Sequence, residues 1–189
     1  MGGVHLTYGV IPDMAVFGKA LGNGFPISAV IGRKKVMDAA QETFISSTFW
    51  TERIGFVAAL ATIAKMRRCH VPEKLVEYGR MIQEGWESAA ARHGITVQVS
   101  GIPSLAHLQF MHQDGLALQT YFTQYMLAKG FLASGSAYSS YAYTPEIIGL
   151  YLSAVDQAFE QMGNCLKKGE DIKTYLQGPV KHSGFKRLT

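Results

Sequence analysis

Lys19 stands in Phe17-Gly-Lys-Ala-Leu-Gly-Asn-Gly-Phe-Pro26, straight after a short apolar run and among Gly18, Gly22 and Gly24. Glycines permit tight turns and let a ligand come close to the backbone. A lysine desolvated in such a loop is held as the neutral amine, whose lone pair can attack a carbonyl to form an imine. A phosphate-cradling P-loop needs Gly-Lys-Ser/Thr after its glycines, and here Lys19 precedes most of them. Spacing alone also suits a plain surface lysine at a strand end.

A second cluster, Ser46-Ser47-Thr48-Phe49-Trp50-Thr51, gathers hydroxyls where an apolar run ends. Such hydroxyls, with nearby backbone N–H groups, can bind phosphate; an ordinary polar loop before a helix fits the same residues. His107 and His112 fall on opposite faces of a regular strand, which argues against one shared metal. Tyr138, Tyr141 and Tyr143 beside Ser136, Ser139 and Ser140 could line a substrate entrance or form the rim of a half-buried β segment. Cys69 and Cys165 are far apart and in no Cys-x-x-Cys pattern, so neither a disulfide framework nor a zinc site is expected.

Three stretches of chain must position these residues. In the first, Val10-Ile-Pro-Asp13 reads as a turn and Met14–Phe17 as a buried strand. Ile27–Gly32 and Phe44–Thr48 are further apolar runs of strand type, with a short helix over Arg33–Gln41 between them. From Ile54 to Met66 alanine and branched residues recur at helical spacing with almost no charge, a pattern for a helix buried on most sides. The second stretch is a long helix opening at His70-Val71-Pro72 and ending at Gly94, with Leu75, Ile82, Trp86 and Ala89 on one face. The third alternates strands at Thr96–Val99, Ser104–Phe110 and Phe131–Ala133 with helices over Gly115–Lys129 and from Thr144-Pro145-Glu146 onward. Threonine cap, first-turn proline and an acid near the positive end of the dipole mark that last start. The divisions expected are residues 1–68, a connecting helix 69–94, a small α+β domain 95–166, and a basic, poorly ordered tail 167–189.

The bulk properties suit this reading. The chain has 189 residues, 48% of them apolar and 17% charged, so it can bury a core and does not have a disordered composition. Eighteen basic against fourteen acidic residues leave a net charge of +4, spread thinly and densest at Lys181–Arg187. Nothing in it reads as a nucleic-acid arm. No apolar run is long enough to span a bilayer, and Met1–Val10 does not read as a secretory signal.

The segment Pro12-Asp13-Met-Ala-Val-Phe-Gly-Lys19-Ala-Leu-Gly-Asn-Gly-Phe-Pro26-Ile-Ser-Ala-Val-Ile-Gly32 resembles the cofactor-lysine segment of class III aminotransferases, closest to their glutamate-1-semialdehyde aminomutase-like branch. The resemblance runs from Gly3 to Cys165. It implies an α/β, fold-type-I pyridoxal-phosphate-dependent transferase of which the chain holds the end of the large-domain sheet and the small α+β C-terminal domain. It implies pyridoxal 5'-phosphate as cofactor, held as an imine on Lys19, with Lys19 then moving the proton between substrate Cα and cofactor. Thr48 falls where the family carries a phosphate-binding threonine, acting within one subunit or across a homodimer interface. The implied partners are a small amino donor and a carbonyl acceptor, in the cytoplasm, with no metal, nucleic acid or membrane.

Asn23, where the aminomutases carry glycine, and Phe49-Trp50-Thr51-Glu52 after the threonine favour amino transfer between molecules over the intramolecular aminomutase reaction. The resemblance also implies that the phosphate loop, the ring-stacking aromatic and the aspartate on the pyridine nitrogen belong to a portion not present here, since Asp13 matches a different family position. Two rival readings follow: a non-catalytic remnant acting as an interaction domain, and a phosphate-binding module over Gly18–Gly24 without imine chemistry.

Overall fold

The computed structural model describes residues 3–46 and 48–184, and these divide into two compact units, residues 1–72 and 73–189.

In the first unit, β1 (Met14–Phe17) pairs antiparallel with β2 (Ala29–Gly32), Met14 opposite Gly32 and Phe17 opposite Ala29. The backbone N–H of Arg33 extends the ribbon by donating to Asp13 O at 2.9 Å. Helix α1 (Lys34–Met37) runs into a 3₁₀ turn over Asp38–Glu42, as the sequence predicts for 33–41. Helix α2 (Ile54–Arg68) also forms where the apolar periodicity places it.

Two expectations for this unit need correcting. Phe44–Ser46 is irregular, Ser47 lies outside the described residues, and Thr48 sits in a turn, so no third strand forms among the described residues. A strand needs a neighbour to take its backbone hydrogen bonds; the sheet here has two strands, and Phe44 is 96% exposed. Nor is α2 buried on most sides. Ile54, Phe56, Val57 and Leu60 are exposed, and Ala59 is its one buried residue. Both strands likewise leave Met14, Val16, Val30 and Ile31 bare. A two-stranded ribbon has too little surface to cover such a helix.

The second unit has a complete core. Helix α3 (Val71–His93) leads into β3 (Val97–Ile102) and β4 (Leu105–Phe110), then α4 (Gly115–Ala128), β5 (Ser136–Tyr138) and α5 (Pro145–Lys167). The antiparallel sheet runs in the order β3-β4-β5, with Val99 opposite Leu108 and His107 opposite Ser136. Alternation along β4 turns Ala106, Leu108 and Phe110 inward and His107 and Gln109 outward. The inward face meets Leu118 and Phe122 of α4, Phe159 and Met162 of α5, and Trp86 of α3 in one cluster. Phe110, Phe122 and Phe159 pack ring to ring at 5.5–6.0 Å. Helix α3 is therefore part of this core, not a free connector: at Gly79 a Cβ would lie 1.7 Å from Pro103 O, so only glycine lets the β3–β4 turn press against the helix. The start of α5 follows the predicted cap, with Thr144 Oγ1 accepting from Ile147 N at 3.3 Å.

The third strand is displaced from its expected position. Phe131–Ala133 is irregular and Leu132 is 96% exposed. The chain joins the sheet only where Leu108 N donates to Gly135 O, at 2.9 Å. Phe131 is instead spent on an edge-to-face contact with Tyr151, centroids 5.7 Å apart.

The tail also departs from expectation: it is bound along α4 as far as Lys181. Ile172 is buried, Gln124 Nε2 donates to Tyr175 O (2.9 Å), and Gln124 Oε1 accepts from Gln177 N (2.7 Å). Residues beyond Gly184 lie outside the described set. Among the described residues no helix is long and apolar enough to cross a membrane.

One ion cluster ties α3 to α5. Asp156 Oδ1 accepts from Arg92 Nη2 at 2.7 Å and lies 2.9 Å from His93 Nε2. Burial alone would raise the Asp156 carboxyl, but the bonds from Arg92 and His93 outweigh it and hold the group below its ordinary value of 3.8. Stabilisation from a lowered carboxylate is present above the unfolded value and is lost as pH falls through the folded one. Asp156→Asn is therefore expected to flatten the loss of stability below about pH 4. Urea midpoints measured across that range check it, and unchanged acid sensitivity in the variant would refute it.

Candidate functional site

Lys19 opens a 3₁₀ turn, Lys19–Leu21, directly after β1. Its φ is +48°, in the left-handed region that side chains with a Cβ avoid at a cost of roughly 1–3 kcal/mol. The turn holds it there: Leu21 N donates to Gly18 O at 3.0 Å and Gly22 N to Lys19 O at 3.3 Å. Gly22 is buried, and a Cβ on it would meet Phe25 O at 2.0 Å and Ile27 Cγ2 at 2.8 Å. The glycine at 22 thus folds the loop back on itself, and the loop aims Lys19 into an open cleft of about 1050 Å³.

That cleft lies wholly within the first unit. Gly18, Lys19, Phe25, Ser28, Trp50 and Phe56 are among its lining residues. Its one lining carboxylate, Glu52, is occupied: Glu52 Oε1 accepts from Ile54 N at 2.9 Å and caps α2. Asp13 is paired to Arg33 at 2.9 Å. Lys19 itself is exposed, so the desolvation expected of it is not supplied by the described residues of this unit.

Thr48 is exposed in the turn that leads to Phe49 and Trp50, next in sequence to the cleft's aromatic wall but not part of its lining. The structure therefore brings Lys19 together with the segment after Thr48. Sequence reasoning missed Phe25, Ser28 and Glu52 as cleft residues. Glu52, two residues before the first apolar position of α2, carried a legible capping signal.

The tyrosine cluster is split. Tyr138, Tyr143 and Ser136 border a separate cavity of about 500 Å³ in the second unit, whereas Tyr141 lies outside its lining. Tyr143 O–H donates to Tyr138 O at 3.1 Å. In the same cavity wall Tyr151 accepts from Trp86 Nε1–H at 2.9 Å, and burial pushes its phenol up.

Comparisons with known proteins give a consistent picture. The family model for class III aminotransferases matches residues 4–148. The 3-aminobutyryl-CoA aminotransferase of Cloacimonas acidaminovorans is 30% identical over 172 residues, covering 88% of this chain and 42% of that protein. The aminopentol aminotransferase of Sphingopyxis macrogoltabida is 28% identical, covering 80% of this chain and 36% of that protein. Among solved structures, the PLP internal aldimine form of the FumI protein of Sphingopyxis sp. MTA144 superposes with a TM-score of 0.80 at 26% identity, over 86% of this chain and 40% of that one. An omega-transaminase from Sphaerobacter thermophilus superposes with a TM-score of 0.76 at 23% identity, over 86% and 41%, and supports the fold. The chain thus spans less than half the length of each relative.

Proposed function

We propose a function from one premise: the chain belongs to the class III aminotransferases, whose family model covers residues 4–148. It carries the lysine-bearing portion of a pyridoxal-phosphate-dependent enzyme that moves an amino group from a small amine donor to a carbonyl acceptor. The observation that supports this most directly is Lys19, fixed at φ +48° by a glycine-built turn and lining a cleft with Ser28 and Trp50.

The residues present fit one side of the cofactor. Lys19 offers the one lysine amine in the cleft lining, Trp50 and Phe25 offer aromatic faces, and Thr48 offers a hydroxyl beside that wall for the phosphate. A carboxylate for the pyridine nitrogen is not among the free groups of the lining, because Glu52 caps α2. When bound, pyridoxal phosphate supplies the electron sink that makes a substrate Cα–H bond acidic. Lys19 Nζ would hold the cofactor between turnovers and, once released by the substrate amine, would carry the proton from substrate Cα to the cofactor carbon. The apolar side chains of the cleft, Phe56 and Ile54 among them, exclude water from that proton transfer once the cleft is covered. Homodimerisation would supply such cover, and the exposed apolar face of α2 supports it. The free thiols Cys69 and Cys165 suit the reducing cytoplasm.

The test is covalent trapping. Borohydride reduction of the 189-residue chain with pyridoxal phosphate, followed by peptide mapping, is expected to place a saturable label on Lys19. Label scattered over many lysines would overturn the reading for this chain.

A further inference from the structure

Ile27 lines the Lys19 cleft without offering it a polar group. We infer that Ile27 is a positioning residue for Lys19, its branched side chain wedging the Lys19 turn against the start of α2. What this does for the cofactor rests on the proposed function; the hold on the Lys19 backbone does not.

The contacts are specific to the shape of the side chain. A Cβ on Gly22 would lie 2.8 Å from Ile27 Cγ2. A Cβ on Gly55 of α2 would lie 3.1 Å from Ile27 Cβ, 3.5 Å from its Cδ1 and 3.2 Å from Pro26 O. Both glycines thus leave room that the isoleucine fills. One half-buried side chain packs on the lysine turn and on the helix together. Two branches at Cβ make isoleucine stiff at χ1, so it passes on position instead of yielding.

The wedge joins two hydrogen-bonded segments. Gly22 N donates to Lys19 O at 3.3 Å, and Gly22 O accepts from Phe25 N at 3.2 Å, so the place of Gly22 sets the place of Lys19. On the helix, Ile54 N donates to Glu52 Oε1 at 2.9 Å, and Glu52 N donates to Phe49 O at 3.0 Å, which closes the turn that carries Trp50. Lys19 and Trp50, both in the cleft lining, are linked through Gly22, Ile27 and the first turn of α2. A residue at φ +48° persists only where its surroundings hold it, and Ile27 is part of that hold.

Two substitutions separate shape from burial. Ile27→Val keeps both branches at Cβ and loses Cδ1. Ile27→Leu keeps the apolar volume and loses Cγ2, the methyl nearest Gly22. If volume alone mattered, leucine would be the milder change; the wedge requires valine to be. In the full chain without cofactor, the readout is the Cα and Cβ carbon shifts of Lys19, which follow its φ and ψ. They are expected to hold in Ile27→Val and to move in Ile27→Leu. The amide shifts of the paired Val16 and Val30 report that the ribbon is intact. Should leucine disrupt the ribbon, Gly55→Ala decides: alanine favours the helix, presses a methyl on Ile27 and is expected to move the Lys19 shifts. With pyridoxal phosphate added, the concentration that half-saturates the trapped Lys19 label is expected to rise roughly tenfold in Ile27→Leu, from misplacement of the amine, and to stay near the parent value in Ile27→Val. Lys19 shifts that neither Ile27→Leu nor Gly55→Ala moves overturn the inference, as does a valine variant harmed as much as the leucine one. A parent chain without saturable label overturns the proposed function instead, and the Lys19 shifts still decide the wedge.

Discussion

On the proposed function, Lys19→Ala is expected to remove the saturable pyridoxal label and to lower any amino-transfer turnover by roughly a hundred- to ten-thousandfold, the usual contribution of a positioned general base. Lys19 is the one lysine lining the cleft, so no neighbouring amine stands ready to take over. Lys19→Arg is expected to lose as much, because a guanidinium keeps the charge but offers no free lone pair at working pH. A residue that merely shaped the loop would behave differently: arginine would preserve function, and alanine, which keeps a Cβ at φ +48°, would leave the loop much as it is. Added methylamine separates the cases further. It can occupy the space left by Lys19→Ala and accept the proton, so partial rescue is expected for a base and none for a structural residue. Turnover within a few fold of the parent in Lys19→Ala would sink the assignment.

What could be read from residues alone divides along the two units. Helices were legible because their signals are local. The threonine, proline and glutamate at 144–146 and the period-3.6 stripe of Ile82, Trp86 and Ala89 act within a turn or two, and both helices formed where expected. The Lys19 loop was legible for the same reason, since its glycines constrain a backbone over ten residues. What failed depended on partners distant in the chain. The strand expected at Phe44–Thr48 and the burial expected for α2 both needed further large-domain surface to pair with or pack on, and residues 1–72 provide a two-stranded ribbon.

The displaced third strand fails by a subtler route. Phe131-Leu-Ala133 has the better β composition, but Phe131 packs edge-to-face on Tyr151, and Ser136–Tyr138 pairs with Leu105–His107 instead. The tail was misread because its composition is polar and basic, while its anchoring rests on single groups. Gln124, Thr120 and the buried Ile172 hold it, and none of them stands out from composition.

Trp86→Ala is the substitution expected to cost the fold most. Trp86 is fully buried, and its Nε1–H donates to Tyr151 O–H at 2.9 Å, joining α3 to α5 across the core. Truncation of a buried tryptophan to alanine costs about 3–5 kcal/mol, against a total stability of about 5–15 kcal/mol for an ordinary domain. A large fraction of the second unit's stability therefore rests on one side chain.

Trp86→Phe separates packing from hydrogen bonding. It keeps most of the apolar volume and loses the donor, for an expected cost of about 1–2 kcal/mol. Tyr151→Phe removes the acceptor, and in the double variant the two losses should fall short of their sum by about 1 kcal/mol if the bond is made as drawn. The readout must be specific to this unit. The chain's other tryptophan is Trp50, in the first unit, so fluorescence in a Trp86 variant reports on the wrong half. Hydrogen exchange of the α5 amides avoids that confusion: Val155, Phe159 and Met162 pack in the same core as Trp86 and are protected only while it holds. Unchanged α5 protection in Trp86→Ala would mean that the second unit draws its stability from elsewhere, with the Trp86–Tyr151 contact incidental to it.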